Sequence, residues 1–447
     1  MKLGFLHRTN RTSTSFRVIL IGFLVLILIG ALLLMLPICS RSRTVTPFPD
    51  TLFTAVSASC VTGLVVRDTA THWSVFGQFI VLLLIQIGGL GVITVAVTFF
   101  HLSGRRISLA QRNMMQQSIS APQVGGIVRR TGFLIRVSLC VELGGAVLLS
   151  PVFVREFGLL KGFWYSIFHS VSAFCNAGFD LMGVRAPFSS LTGFVGEPLV
   201  NIVVMVLIIT GGIGFLVWED IWHNGLRLRR YRLQTKLVLV TSAILIVVPA
   251  ALNFFFEYRQ LPAGERILAS LFQSVTTRTA GFNTTDLTEM SEPGVLQMIF
   301  LMLVGGSPGS TAGGMKTTTA AVLFLAGMTV FRRRDDVECF RRRIGQDVIR
   351  NAGTILFLYT ALFCVGSAIL CRVEALPLLT CMFETGSAIG TVGLTLGITP
   401  NLHLCSRIVL MLLMFLGRVG ALTLVYALLP GGTNPPGRKP LEPITVG

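Results

Sequence analysis

Charge is what this chain has least of. Only 13% of its 447 residues are Asp, Glu, Lys or Arg, against 52% that are hydrophobic, and a water-facing surface cannot be built from so small a stock. That excludes an ordinary soluble domain. CxxC pairs are missing from the nine cysteines, and no cluster of histidines accompanies them, so neither a zinc site nor a thiol-redox motif is supported. The apolar stretches also lack the chain of buried Asp, Glu and His that a proton relay needs. Glu142 and His169 stand alone.

What is abundant is long apolar sequence. Runs near residues 18–37, 75–100, 131–150, 197–218, 237–256, 294–330, 351–371 and 404–429 are mostly long enough to cross a hydrocarbon layer of about 30 Å. The expectation is an all-α polytopic membrane protein with eight transmembrane spans. The first run exceeds a signal-peptide core, and no small-residue cleavage site follows Leu36-Pro37, so it is read as a retained helix.

The positive charge is placed, not scattered. Arg105, Arg106, Arg112, Arg129, Arg130 and Arg136 lie in a stretch free of acid from His101 to Val141; Arg227, Arg229, Arg230, Arg232 and Lys236 follow the fourth span; Arg332–Arg334 and Arg341–Arg343 follow the sixth. Every second connection is basic, which by the positive-inside rule puts those connections and both termini in the cytoplasm. The excess of +17 therefore reads as topology, with some contact to anionic membrane lipid or an acidic partner, and not as a nucleic-acid surface.

On the opposite side the connections are apolar and rich in glycine. Each holds a short helix-like stretch (50–58, 162–174, 265–276, 376–387) and then a small polar segment ending in glycine: Val61-Thr62-Gly63, Cys175-Asn176-Ala177-Gly178, Thr279-Ala280-Gly281 and Thr391-Val392-Gly393. The four glycines are 115, 103 and 112 residues apart, and a second landmark follows each at 25, 33, 24 and 24 residues: Gly88-Gly89, Gly211-Gly212, Gly305-Gly306 and Gly417-Arg418. Such regularity marks a fourfold repeat of helix, re-entrant pore loop, helix around a central pore. The expected division is a cytoplasmic N-terminus 1–17, repeats at 18–104, 128–224, 236–334 and 348–430, and a cytoplasmic tail 431–447 rich in Pro and Gly.

Non-helical backbone at membrane depth is tolerated only where protein buries it or it lines a wet cavity. Four such loops need a common aqueous centre, where carbonyl oxygens replace the hydration shell of an alkali cation. No Asp or Glu ring stands in the loops, and the carboxyl ends of four short helices aimed inward favour positive charge. The thirteen loop residues named above are the expected selectivity filter. Arg278 and Glu384, beside filters three and four, are expected to brace them as a pair.

Span six is interrupted by Gly305-Gly306-Ser307-Pro308-Gly309-Ser310-Thr311-Ala312-Gly313-Gly314, poor helix formers with a proline that removes a donor. Unwound and below the filter, this stretch is expected to act as a gate, with Lys316 beside it. Its likeness to a phosphate-binding loop fails because Met315 separates the glycine from Lys316. Arg418 replaces the second glycine of the cluster in repeat four; a transmembrane arginine must face water or a partner, and its five donors suit the carbonyls an unwound gate leaves free.

At these residues the chain resembles the membrane subunits of the Trk, Ktr and HKT superfamily, most closely the Ktr-type (KtrB) branch. The similarity is carried by Ser59-Cys60-Val61-Thr62-Gly63-Leu64-Val65-Val66, by Thr277-Arg278-Thr279-Ala280-Gly281-Phe282-Asn283-Thr284 and by Ser307 through Thr319, and covers residues 17–430. The resemblance implies potassium uptake dependent on sodium, K+ and Na+ being transported ions and not cofactors. It also implies a homodimer with one pore per subunit and a cytoplasmic nucleotide-binding regulatory ring of the KtrA type. Ala421 stands where that family commonly has proline. A TrkH-like or a less selective Na/K translocating subunit, or a proton-coupled cation carrier, is the alternative.

Overall fold

The computed structural model describes residues 3–92, 94–95, 108–118, 125–225 and 227–420, with side chains from residue 17 onward. Ala421 and the expected tail 431–447 lie outside these. Among the described residues the named elements are helices apart from a two-residue hairpin, Glu338–Cys339 paired with Arg342–Arg343, between the third and fourth repeats.

Each repeat opens on a long helix: α1 (Leu3–Leu34), α4 (Ile127–Phe157), α8 (Leu233–Leu252) and α12 (Gln346–Glu374). A short helix follows each one: α2 (Phe48–Ser59), α5 (Leu159–Phe174), α9 (Ala263–Thr276) and α13 (Leu378–Gly390). The residue that starts the short helix is Pro47, Gly158, Pro262 or Pro377. A proline there presets φ and has no N–H to lose, while Gly158 adopts φ +80, so the chain reverses sharply. With 12 to 16 residues, a short helix extends about 18–24 Å, which falls short of a membrane.

The four short helices share a pattern beneath their dissimilar sequences. Phe53, Phe168, Phe272 and Phe383 are fully buried, and four residues after each comes a buried hydroxyl: Ser57, Ser172, Thr276 and Ser387. The loop glycine lies six residues past the hydroxyl in repeats one, two and four and five residues past it in repeat three, so repeat three is one residue shorter in the turn.

The closing helices differ from expectation. Spans two, four and eight read as continuous apolar runs; instead α3 (Val75–Leu90), α6 (Pro198–Gly212), α10 (Glu292–Leu303) and α14 (Leu404–Val419) all stop at their glycine clusters. In repeats one, two and four the break falls on the last glycine of one spacing. Gly91, Gly214 and Gly420 have φ of 90, 95 and 90, which side-chain-bearing residues avoid. After Gly214, α7 (Phe215–Asn224) leaves α6 at 96°. Interruption is thus common to repeats one, two and three, repeat four reaching the corresponding glycine where the described residues end, and repeat three is distinguished by a loop inserted at its break before α11 (Thr317–Phe331). Among the described residues four helices are long and apolar enough to cross a membrane unaided, and five if α6 and α7 form one span.

Candidate ion pathway

Each short helix ends in the same backbone device. Val61, Asn176, Thr279 and Thr391 adopt left-handed φ of 57, 56, 77 and 51, and the glycine two residues later does so again at 94, 70, 84 and 95 for Gly63, Gly178, Gly281 and Gly393. Left-handed residues flanking an ordinary one break the alternation by which extended backbone points successive carbonyls to opposite sides. The loops can therefore present rows of oxygens to one side.

The buried hydroxyls hold this shape in two ways. Ser57 Oγ accepts from Gly63 N at 3.1 Å and Ser387 Oγ from Gly393 N at 3.0 Å. Ser172 Oγ donates to the Phe179 carbonyl at 2.7 Å and Thr276 Oγ1 to that of Phe282 at 2.6 Å. The two modes fall in adjacent pairs around the ring, repeats one and four using the first and repeats two and three the second. Sequence reading passed over these hydroxyls, although their fixed distance from the loop glycines could have revealed them.

The glycines close a ring. A methyl placed on Gly63 would lie 2.5 Å from the Ala177 oxygen; on Gly178, 2.6 Å from that of Ala280; on Gly281, 2.3 Å from that of Val392; and on Gly393, 2.1 Å from that of Thr62. Each glycine faces the carbonyl just before the glycine of the next repeat, and the fourth returns to the first. Thr62, Ala177, Ala280 and Val392 are thereby brought to one axis, with Cys175 buried behind loop two.

Below the ring lies the inserted stretch, tied to two closing helices, α6 and α14, and to α7. Ser307 N donates to Gly212 O at 2.9 Å, Thr311 N to Gly211 O at 3.2 Å, Gly314 N to Gly417 O at 3.1 Å, and Phe215 N to Gly309 O at 2.7 Å. Gly305 N donates to Met315 O at 2.8 Å and closes the base of the loop. Gly306, Pro308, Ala312 and Gly313 complete it; a methyl on Gly313 would be 2.1 Å from the Thr391 hydroxyl, so the loop touches the inner end of loop four. Lys316 Nζ donates to Ala312 O at 2.9 Å. Arg418 donates from Nη1 to Thr311 O and from Nη2 to Gly89 O at 2.9 Å, joining the inserted loop to repeat one.

Other polar residues are separated. Arg278 and Glu384 do not meet: Arg278 Nη2 donates to Ser242 Oγ at 3.1 Å, and Glu384 accepts from Thr395 Oγ1 at 2.9 Å and from Thr399 Oγ1. Each braces its own repeat. Glu142 accepts from the amide of Gln86 at 2.9 Å, while His169 lies between the Tyr165 carbonyl and Leu181 N. They bind separate neutral partners and form no relay with each other. Beside the outer end of loop one, a cavity of about 520 Å³ is lined by Asp50, Asp68, Arg67, Arg407 and His72. Burial, then the Arg67 charge, push His72 below the usual histidine range, so two carboxylates face two guanidiniums and the cavity carries little net charge.

Four loops converging on one axis within an apolar, helical fold define a class, the polytopic cation transport proteins. The chain belongs to the TrkH cation transport protein family, whose match extends over residues 3–432. It is 40% identical to the potassium/sodium uptake protein NtpJ of Enterococcus hirae, covering 94% of each chain. It is also 40% identical to the Ktr system potassium uptake protein B of Bacillus subtilis, over 92% of each, and 36% identical to that of Vibrio alginolyticus, over 92% of this chain and 90% of the relative. The fold is that of the potassium transporter TrkH from Vibrio parahaemolyticus, at a TM-score of 0.74 and 19% identity over 94% of this chain and 85% of that one. The protein is accordingly a cation uptake transporter of the potassium-transporting Ktr and Trk kind, a multi-pass protein of the bacterial cytoplasmic membrane and not an enzyme.

Proposed function

We propose that potassium enters through the ring of Gly63, Gly178, Gly281 and Gly393, shedding its water against the loop carbonyls, and that the 305–314 stretch with Lys316 and Arg418 forms the barrier beneath. The carrying observation is the closed contact order of the four glycines and the oxygens of Thr62, Ala177, Ala280 and Val392. Backbone oxygens in such a ring suit a dehydrated monovalent cation, and the four helix carboxyl ends add favourable potential. In this reading the broken closing helices complete eight spans, with the arginine-rich connections and both termini in the cytoplasm.

Sodium dependence, pairing into a homodimer and regulation by a nucleotide-binding ring of the KtrA type are part of the same proposal. They rest on the Ktr likeness and on the names of the potassium/sodium and Ktr-system relatives. The deciding experiment is rubidium or potassium uptake in cells lacking their own potassium transporters, with and without sodium. Uptake that requires this chain and saturates with potassium supports the reading. Uptake that needs a pH gradient in its place would turn it toward a proton-coupled carrier.

A further inference from the structure

Away from the ion path, α4 and α7 enclose a cavity of about 360 Å³ lined by Gly126, Arg129, Arg130, Phe133, Glu219, Trp222 and His223. Two guanidiniums and one carboxylate leave it with an excess positive charge even with His223 neutral. Arg130 Nε is paired with Glu219 Oε1 at 3.0 Å, yet its Nη1 is buried with no partner among the described residues, as is the second Glu219 oxygen, Oε2. A buried donor without an acceptor destabilises the fold, and an incoming anion removes that cost. Arg129 is exposed beside it.

The surroundings say what kind of anion. Because α7 leaves α6 at 96°, it runs along the membrane surface when α6 crosses the membrane, and the cavity between α7 and the start of α4 falls at headgroup depth. Trp222 is 76% exposed there and meets Phe133 edge-on at 6.0 Å. An indole left so exposed belongs at the boundary between headgroups and acyl chains. A wall of aromatic rings beside a guanidinium pair fits a phosphodiester carrying acyl chains.

We propose that this cavity binds a phosphate group, and that the phosphate is the headgroup of an acidic phospholipid, with Arg129 and Arg130 on the phosphate and Trp222 against the glycerol and upper acyl chain. Neither the filter nor the inserted loop enters the argument, so the site stands or falls apart from the transport reading.

The test uses the full chain in phosphatidylcholine vesicles that contain a minor fraction of one bromine-labelled lipid, either phosphatidylglycerol or phosphatidylcholine. Bromine quenches nearby tryptophan, and the quenching lost in Trp222→Phe reports on Trp222 alone. The expected result is a preference for labelled phosphatidylglycerol of about five-fold per arginine, reduced in Arg129→Gln and abolished in the double variant with Arg130→Gln. Arg129 has no ion pair among the described residues, so its single variant remains informative if loss of Arg130 disturbs folding. Equal quenching by the two lipids, or a preference untouched by Arg129→Gln, would overturn the site. Loss of the preference on adding inorganic phosphate would show a free-anion pocket and overturn the lipid assignment.

Discussion

Asp50 and Arg407 form an ion pair at 2.8 Å although 357 residues separate them in sequence. Asp50 sits in the first turn of α2, where a carboxylate suits the helix dipole, and Arg407 in the first turn of α14. The pair joins repeat four to repeat one, the one seam of the ring that no linker spans. Arg67 binds the other Asp50 oxygen, also at 2.8 Å, but is 48% exposed where Arg407 is 19%.

Arg407→Ala is therefore expected to destabilise the protein by about 2 kcal/mol, less than for a wholly buried pair because Arg67 remains. Arg67→Ala is expected to cost under about 1 kcal/mol. Thermal unfolding of the detergent-solubilised protein measures both. Equal losses would mean that the repeat-four seam has no special part in stability.

Gly281→Ser and Gly393→Ala place a side chain where carbonyls lie at 2.3 and 2.1 Å, on backbone already left-handed. Both are expected to raise the potassium concentration needed for half-maximal uptake and to admit more sodium. Uptake by each variant, compared at equal membrane abundance, checks this. Wild-type selectivity in a folded variant would remove the ring from the filter.

Ser387→Ala removes the acceptor that holds Gly393 N and leaves a buried N–H unsatisfied, at about 1–3 kcal/mol. Ser172→Ala removes a donor to the carbonyl of Phe179, one residue past the loop glycine, at about 1 kcal/mol. Selectivity is expected to fall more in the first than in the second, with partial recovery in Ser387→Thr. Competitive potassium and sodium uptake reads the order.

Arg418→Gln shortens the reach to Thr311 and Gly89, and deletion within 305–314 removes the loop itself. Either is expected to raise potassium flux through proteoliposomes without regulatory subunits and to leave ion preference unchanged. Combined, they should add to less than their sum, as parts of one barrier do. A shortened loop with ordinary flux would mark the stretch as a passive kink.

Much of this arrangement was legible in the residues. Glycine spacing placed the four loops, because glycine at 63, 178, 281 and 393 is demanded by backbone geometry and not by local packing taste, and a run of poor helix formers around Pro308 placed the inserted stretch. The Phe and Ser/Thr pattern of the short helices was present but camouflaged, since apolar and hydroxyl residues are common in any buried helix. The breaks at Gly91, Gly214 and Gly420 were hidden for a different reason. Apolar sequence runs on past them, and hydropathy records what lipid tolerates and says nothing of where an axis turns. Arg278 and Glu384 were paired by charge and by nearness to loops whose separation around the ring sequence does not report.

The ring of glycine contacts also bears on how the chain is strung. Gly393 meets Thr62 in the same manner as Gly63 meets Ala177, though only the latter two repeats are consecutive along the backbone. Covalent continuity between neighbours is thus incidental to the assembled ring. Two fragments divided among the exposed residues 227–230 and produced together should find each other in the bilayer and rebuild the same centre. The molecule behaves, in this respect, as a tetramer whose subunits happen to share a peptide chain.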